Sequence, residues 1–255
     1  MVANFGYGAL LITLLLAIYG VFAAVYGARS NKPAWVESAR LAMLLTFPLI
    51  TVAALSLIYL LVNGHYEVEF VSSVTSSSMP IYLRITALWG GQSGSLVFWA
   101  WLMSAFATAV TLRKWERDRE FLPWVIMVSL VTLGFFLILI LFFENPFSRL
   151  WASATGNVVK AMFQPAGMSL YSPGDGRGLN PLLRHPGMII HPPMLYLGFV
   201  SFVIPFAFAI AALITGRTDD RWIRITRRWT LVAWLFLSLG LVLGMRWAYD
   251  VLGWG

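Results

Sequence analysis

Two of the three histidines in this chain lie six residues apart, at the start of an apolar stretch. The segment RHPGMIIHPPMLYLGFV, residues 184–200, contains His185 and His191, and two prolines follow His191 directly. Proline fits the first turn of a helix, where its missing N–H costs nothing, and it disfavours the helical conformation in the preceding residue. The pattern predicts that His191 lies just before a helix whose first turn holds Pro192 and Pro193, with His185 in the turn before it.

The chemistry of these histidines depends on their surroundings. A neutral imidazole in an apolar, aromatic setting is a good axial ligand for haem iron. Zinc is poorly supported, because the chain has no Cys and few carboxylates near either histidine. A proton relay would need acidic or Lys residues inside the membrane helices. A structural role, with both side chains hydrogen-bonded at the membrane interface, stays open, and it is the favoured reading for His65.

The composition identifies the elements that must position these groups. Hydrophobic residues make up 59% of the chain and charged residues only 11%, and the mean hydropathy is +0.77. Such a composition excludes an ordinary soluble domain, and six runs without charge are long enough to cross a bilayer. We predict an all-α polytopic membrane protein, 1–255, as a single transmembrane domain. Its six transmembrane helices are expected at about 6–28, 41–62, 87–112, 121–143, 190–215 and 229–248.

The basic residues predict the orientation of these helices. Loops 29–40, 113–119 and 217–228 contain 12 of the 18 Lys and Arg residues, which favours the cytoplasmic side. Both termini and the loops 63–86, 144–189 and 249–255 are therefore expected on the external, periplasmic side of the cell inner membrane. The net charge of +7 is interpreted as the signal that sets the orientation of the helices in the membrane. The lipid bilayer is therefore an expected partner, and no nucleic acid partner is expected.

Local patterns add three expectations. The first apolar run has no basic residue ahead of it, which favours a retained helix over a signal peptide. The loop 63–86 favours a short extended segment, and GNVVKAMF within 144–189 favours one or two helical turns. The absence of Cys excludes disulfides and thiolate metal sites in this chain.

Two aromatic segments are expected on the same side as His191. The first, ALWGGQSGSLVFW at 87–99, contributes Trp89 and Gln92, and the tail from Arg246 contributes Arg246, Trp247 and Trp254. Rings can stack on a flat macrocycle, and Arg can pair with its propionates. Helix packing for the first segment and membrane anchoring for the second remain open alternatives.

Four blocks, ALWGGQSGSLVFW, ENPF, GLNPLLRHPGMIIHPPMLYLGFV and WAYDVLGWG, resemble the haem lyase subunit (CcmF) family of cytochrome c maturation. The resemblance implies that His191 is an axial ligand to haem. It also implies that a haem chaperone delivers the haem, that apocytochrome c receives it through two thioether bonds, and that other cytochrome c maturation subunits take part. The lyase would orient the vinyl groups against the thiols.

The chain departs from the family pattern in ways that bear on its expected lyase activity. The resemblance covers only the N-terminal part of a family member, because the family continues after LGWG into a tryptophan-rich segment and further histidines. Val74 and Thr75 stand where many members have a histidine, and Ser93 stands where many have Glu. The chain is therefore expected to be incomplete for lyase activity, as a split subunit or a fragment of a longer product.

Two other functions are left open by the residues. A transporter or permease component would need polar residues at mid-membrane and a broken pair of helices. A scaffold subunit of the maturation complex would dock a partner and bind no haem.

Overall fold

The computed structural model describes residues 1–116, 118–217 and 219–253. Six helices within these ranges are long and apolar enough to cross a membrane, which confirms the predicted all-α polytopic fold. The α-helices are α1 Val2–Arg29, α2 Pro33–Asn63, α3 Glu69–Val74, α4 Ile81–Thr86, α5 Gln92–Thr111, α6 Leu122–Ile138, α7 Pro186–Ser201, α8 Val203–Thr215 and α9 Arg221–Leu252.

Two of the six spans are composite. A π-helical turn, Leu139–Phe143, extends α6, so this span runs from Leu122 to Phe143. The fifth span joins α7 and α8 with a break at Phe202, and reaches from Pro186 to Thr215.

Several helix ends differ from the predicted bounds for identifiable reasons. The second span begins at Pro33, eight residues before the charge-free run, because proline is accepted at the first helical position and charged residues are tolerated where a helix leaves the membrane. The third span begins later than predicted. Gly91 is extended (φ −137°, ψ 158°), so a 3₁₀ turn at Ala87–Trp89 precedes α5 as a separate element.

The long segment between α6 and α7 contains a small antiparallel sheet, which corrects the expectation of helical turns there. Its strands are β1 Arg149–Ser153, β2 Val158–Ala161 and β3 Met168–Leu170, in the order β2-β1-β3. The GNVVKAMF stretch is strand, not helix, because Val158 and Val159 favour a strand and Gly156 supplies the positive φ (86°) of the preceding turn. Segment 63–86 forms α3 and α4, and its expected extended conformation is confined to the residues around Val68, which pairs with Arg149 in an isolated antiparallel bridge.

The irregular segments gather at one end of the helices, here called the loop-rich face. Arg149 of β1 donates to Asn4 at 2.6 Å, and Arg84 of α4 donates to the Val62 carbonyl at 2.9 Å, so the sheet and α4 are tied to the ends of α1 and α2. The side chain of Phe147 is fully buried against Gly6, where a Cβ would lie 2.3 Å from the ring. The loop-rich face is thus anchored to the spans.

The opposite end, here called the Arg-rich face, holds the α1–α2 turn and the described residues of the α5–α6 and α8–α9 connections. Arg40 of α2 donates to the Thr111 carbonyl at 3.3 Å, and Arg217 pairs with Glu120 at 3.1 Å. These contacts connect α2 to the end of α5, and a residue just after α8 to the residues before α6.

Candidate functional site

His191 lies inside α7, not before it, which corrects the expected helix start. The helix begins at Pro186, and His185 is its N-cap residue, whose Nδ1 accepts a hydrogen bond from the Gly187 N–H at 3.1 Å. Pro192 and Pro193 are in the helix interior.

The helix tolerates Pro192 because a neighbouring side chain replaces its lost donor. Pro192 has no N–H to bond the Met188 carbonyl four residues earlier. The Nε1 of Trp89 donates to that carbonyl oxygen at 3.1 Å. Trp89, in the 3₁₀ turn before α5, therefore satisfies the free Met188 carbonyl and fixes the position of α7. The prediction that placed both prolines in the first turn of the helix did not include this role.

The imidazole of His191 is held by α9. Its Nδ1 lies 2.8 Å from the Gly240 carbonyl oxygen. A carbonyl oxygen only accepts hydrogen bonds, so Nδ1 carries the proton and Nε2 presents a lone pair. The ring also stacks on Trp247, with centroids 6.0 Å apart and planes 14° from parallel. No hydrogen bond engages Nε2 within the described part of the chain.

Glycines let α9 approach α7 this closely. A Cβ at Gly244 would lie 2.4 Å from Cε1 of His191, and one at Gly240 would lie 2.6 Å from the Leu195 backbone. On the other helix, a Cβ at Gly198 would lie 2.4 Å from the Leu237 nitrogen. Sequence reasoning missed Gly240 and Gly244, although GLVLG is a GxxxG pattern, the usual signal for close helix contact in membranes.

Four of the predicted site residues gather around the first two turns of α7. Trp247 lies beside His185, because a Cβ at Gly187 would lie 3.1 Å from both side chains. The Nε1 of Trp247 is buried without a hydrogen-bond partner in the described residues. With Trp89 on Met188, the cluster consists of His185, His191, Trp89 and Trp247.

Among the described residues, Gln92 and Arg246 have no hydrogen bond, ion pair or ring contact with this cluster. Gln92 is exposed at the first position of α5, and Arg246 is paired with Asp250 at 2.9 Å. Both members of that pair are on α9, which continues to Leu252, so most of the expected tail loop 249–255 is helical. Trp254 lies outside the described residues.

The deeper aromatic residues of α5 pack between helices. Phe98 lies 5.6 Å from Trp89 and 6.0 Å from Tyr196, and Trp99 lies 5.2 Å from Tyr196, all between ring centroids. Trp101 points towards α2 and donates to Thr51 at 3.0 Å. These contacts are those of helix–helix packing, the alternative that was left open for the segment 87–99.

The ENPF segment is tied to the start of α5. Ser93, which is buried, donates from Oγ to Oε2 of Glu144 at 2.8 Å. A Glu at position 93 would bring a second carboxylate close to Glu144, whereas the serine donates a hydrogen bond to it. Nothing in the sequence pattern alone indicated this pair.

Residues 89–255 match the family described as cytochrome C assembly protein. The chain is 40% identical over 248 residues to the cytochrome c-type biogenesis protein CcmF of Escherichia coli, covering 97% of this chain and 35% of the relative. It is 36% identical over 256 residues to CcmF of Haemophilus influenzae, covering 100% and 37%. Among solved structures, Cytochrome c Heme Lyase CcmF superposes with a TM-score of 0.80 at 25% identity, covering 100% of this chain and 37% of that one. The chain spans about a third of the length of these relatives.

Proposed function

The chain belongs to the cytochrome c assembly protein family, and from this premise we propose that it acts as the N-terminal part of a haem lyase subunit of cytochrome c biogenesis. In this proposal the loop-rich face presents haem for thioether attachment to apocytochrome c. Haem is the substrate that is handed on, and this chain contributes binding and orientation.

The observation that carries the proposal is the hydrogen bond between His191 Nδ1 and the Gly240 carbonyl. Histidines that ligate metals usually donate their other ring N–H to a carbonyl or carboxylate, which fixes the tautomer and the ring orientation. His191 has this arrangement, with Nε2 as the ligand atom for haem iron. The parallel Trp247 ring restricts the imidazole further.

Other residues of the face have supporting roles in the proposal. Trp89 and Trp247 offer rings for stacking, and the unsatisfied Trp247 Nε1 offers a donor. Arg246 uses part of its guanidinium on Asp250 and retains N–H groups for a propionate. His185, Gln92 and Trp254 are proposed as further contacts. The thiols come from the apocytochrome, since this chain has no Cys.

The setting of the site follows from the same proposal. The chain is a multi-pass membrane protein. We place it, as a single transmembrane domain, in the cell inner membrane with both termini and the loop-rich face on the periplasmic side. A haem chaperone and other cytochrome c maturation subunits are the proposed partners there.

The test replaces His191 with Asn. The Asn side-chain amide can still donate to the Gly240 carbonyl, but it removes the nitrogen that would bind iron. We expect the purified chain to bind haem with a Soret band that weakens in His191→Asn. His65→Asn is the matched control, because His65 lies on the same face and bonds Glu67 at 2.9 Å.

An unchanged Soret band in His191→Asn, with His65→Asn as the reference, would contradict the ligand assignment. A second measurement addresses the haem-free scaffold: copurification with apocytochrome c from haem-depleted cells. Capture of the apocytochrome without any haem binding would favour the scaffold, and substrate flux in proteoliposomes would favour a transporter.

A further inference from the structure

Four arginines line one cavity on the Arg-rich face, far from His191. The cavity has a volume of about 550 Å³. Arg113, from the connection after α5, forms one side of it, and Arg221, Arg224 and Arg228 of α9 form the other. Positions 221, 224 and 228 follow helical spacing, so the three side chains leave the same face of α9.

Among the described residues that line this cavity there is one carboxylate, which does not neutralise the four guanidinium groups. Asp118 is buried, and it accepts from Arg113 at 2.5 Å and from Arg221 at 2.8 Å. Asp220 lies 3.1 Å from Arg224, but both of these side chains are about 70% exposed, so water screens the pair. The walls therefore retain an excess of positive charge.

Arg113 is fixed in place and has a donor to spare. Its guanidinium lies 5.2 Å from the centroid of the buried Trp115 ring, and Trp115 itself donates to the Val110 carbonyl at 3.2 Å. The Nη1 of Arg113 is buried and has no hydrogen-bond partner among the described residues. A buried charged donor without an acceptor is costly, so this atom favours a ligand with oxygen acceptors.

We propose that this cavity binds a phosphate group, carried either by the headgroup of an anionic phospholipid or by a free phosphate. An arginine guanidinium can donate two parallel hydrogen bonds to a pair of phosphate oxygens. The single buried carboxylate, Asp118, does not occupy all the N–H groups of the four arginines. The α9 N-terminus, at the start of a 32-residue helix, adds favourable dipole ends. Basic cavities between helices at the membrane surface are sites for anionic lipid headgroups.

The location of the cavity explains why a lipid can reach it. It lies where α5 ends at Thr111 and α9 begins at Arg221, so it opens at the level of the membrane surface. Ile225 and Trp229 complete its lining, and Trp229 begins the charge-free part of α9. The apolar part of a lipid can then follow the helices while its phosphate enters among the arginines.

The experiment compares Arg224→Gln and Arg228→Gln with Arg227→Gln in the full 255-residue chain. Arg227 is exposed on the same helix but does not line the cavity, so it controls for the loss of one charge. Arg224 and Arg228 are both exposed, so we expect their replacement by Gln to leave the fold intact. Native mass spectrometry of the protein in neutral detergent measures the binding of added phosphatidylglycerol and of phosphatidylcholine. In a second arm, inorganic phosphate is added to lipid-free protein and the thermal midpoint is followed.

We expect wild type and Arg227→Gln to retain phosphatidylglycerol over phosphatidylcholine, and each cavity variant to bind it about fivefold more weakly. A phosphate-dependent rise in thermal midpoint that the cavity variants lose would identify free phosphate as the ligand. Equal phosphatidylglycerol binding by all four proteins, with no phosphate effect that depends on Arg224 or Arg228, would overturn the proposal.

Discussion

At the scale of single residues, the contact between His191 and Gly244 determines where the imidazole can lie. The ring occupies the space that any side chain at position 244 would take, and its Nδ1 reaches the Gly240 carbonyl of the same helix. Gly240 and Gly244 are thus needed for different reasons: one allows the backbones to meet, and the other leaves room for the ring. Both follow from the absence of a Cβ.

Gly244→Ala should therefore disturb His191 without touching its chemistry. The new Cβ would lie 2.4 Å from Cε1 and 2.8 Å from Nδ1, so the ring must move and its bond to Gly240 must lengthen. We expect a weaker Soret band and a loss of about 1–3 kcal/mol in stability from overpacking.

The matched control is Gly134→Ala, inside α6. A Cβ there has no atom within 4 Å, so it should leave the haem spectrum unchanged. Equal spectra for the two variants would show that the position of the His191 ring does not matter for haem.

At the scale of elements, the spans were predictable and their details were not. Charge-free runs specify which segments cross the membrane, because hydrocarbon excludes ionised side chains wherever they occur. They do not specify the ends, where Pro33 and the arginines of α9 extend helices into water. The predicted start of α7 was wrong because the hydrogen bond that lets the helix include Pro192 comes from Trp89, about a hundred positions away in the sequence.

The candidate site shows the same division. His191 and Trp247 could be predicted as site residues from the sequence, since an imidazole and an aromatic ring near a membrane surface are suited to binding a ligand. Their partner Gly240 could not, because it acts through a backbone carbonyl 49 residues from His191. Side-chain chemistry is visible in a sequence, whereas a long-range backbone contact is not.

A loop on the loop-rich face provides a pH-dependent element. Asp175 accepts hydrogen bonds from the Ser77 N–H at 2.7 Å, from the Ser77 hydroxyl at 2.6 Å and from the Gly176 N–H at 2.7 Å. Led by the Ser77 hydroxyl, these bonds lower the pKa of Asp175 from 3.8 to about 2. They hold the loop around Asp175 against the segment between α3 and α4.

The sign of the effect follows from the lowered pKa. The ionised carboxylate stabilises the folded loop fully above pH 4, and this contribution is lost as the pH falls through about 2. The protection of the backbone amides in residues 172–178, measured relative to their intrinsic exchange rates, should therefore fall between pH 4 and pH 2. The difference in exchange between wild type and Asp175→Asn should shrink over the same range, and a difference that does not vary with pH would contradict the assignment.

At the scale of the whole molecule, the two faces differ in chemistry as well as in shape. The loop-rich face carries the sheet, the histidines and the tryptophans, whereas the Arg-rich face carries short connections and the arginine cavity. One molecule thus separates the proposed haem site from the proposed phosphate site by the full length of its spans. The sixth span, α9, connects them, with Arg221 at one end and Trp247 near the other.

The orientation of these faces can be measured directly, because the chain has no cysteine that would give background labelling. Ser172→Cys places a thiol at an exposed position of the loop-rich face, and Lys114→Cys places one at an exposed position of the Arg-rich face. The excess of basic residues predicts that the Arg-rich face is cytoplasmic.

A membrane-impermeant maleimide added to spheroplasts should therefore label Ser172→Cys at once and Lys114→Cys only after the membrane is permeabilised. Immediate labelling of Lys114→Cys, with Ser172→Cys protected, would invert the topology. The haem site could not then meet an apocytochrome on the periplasmic side, so this single outcome would remove the physical basis of the proposed function.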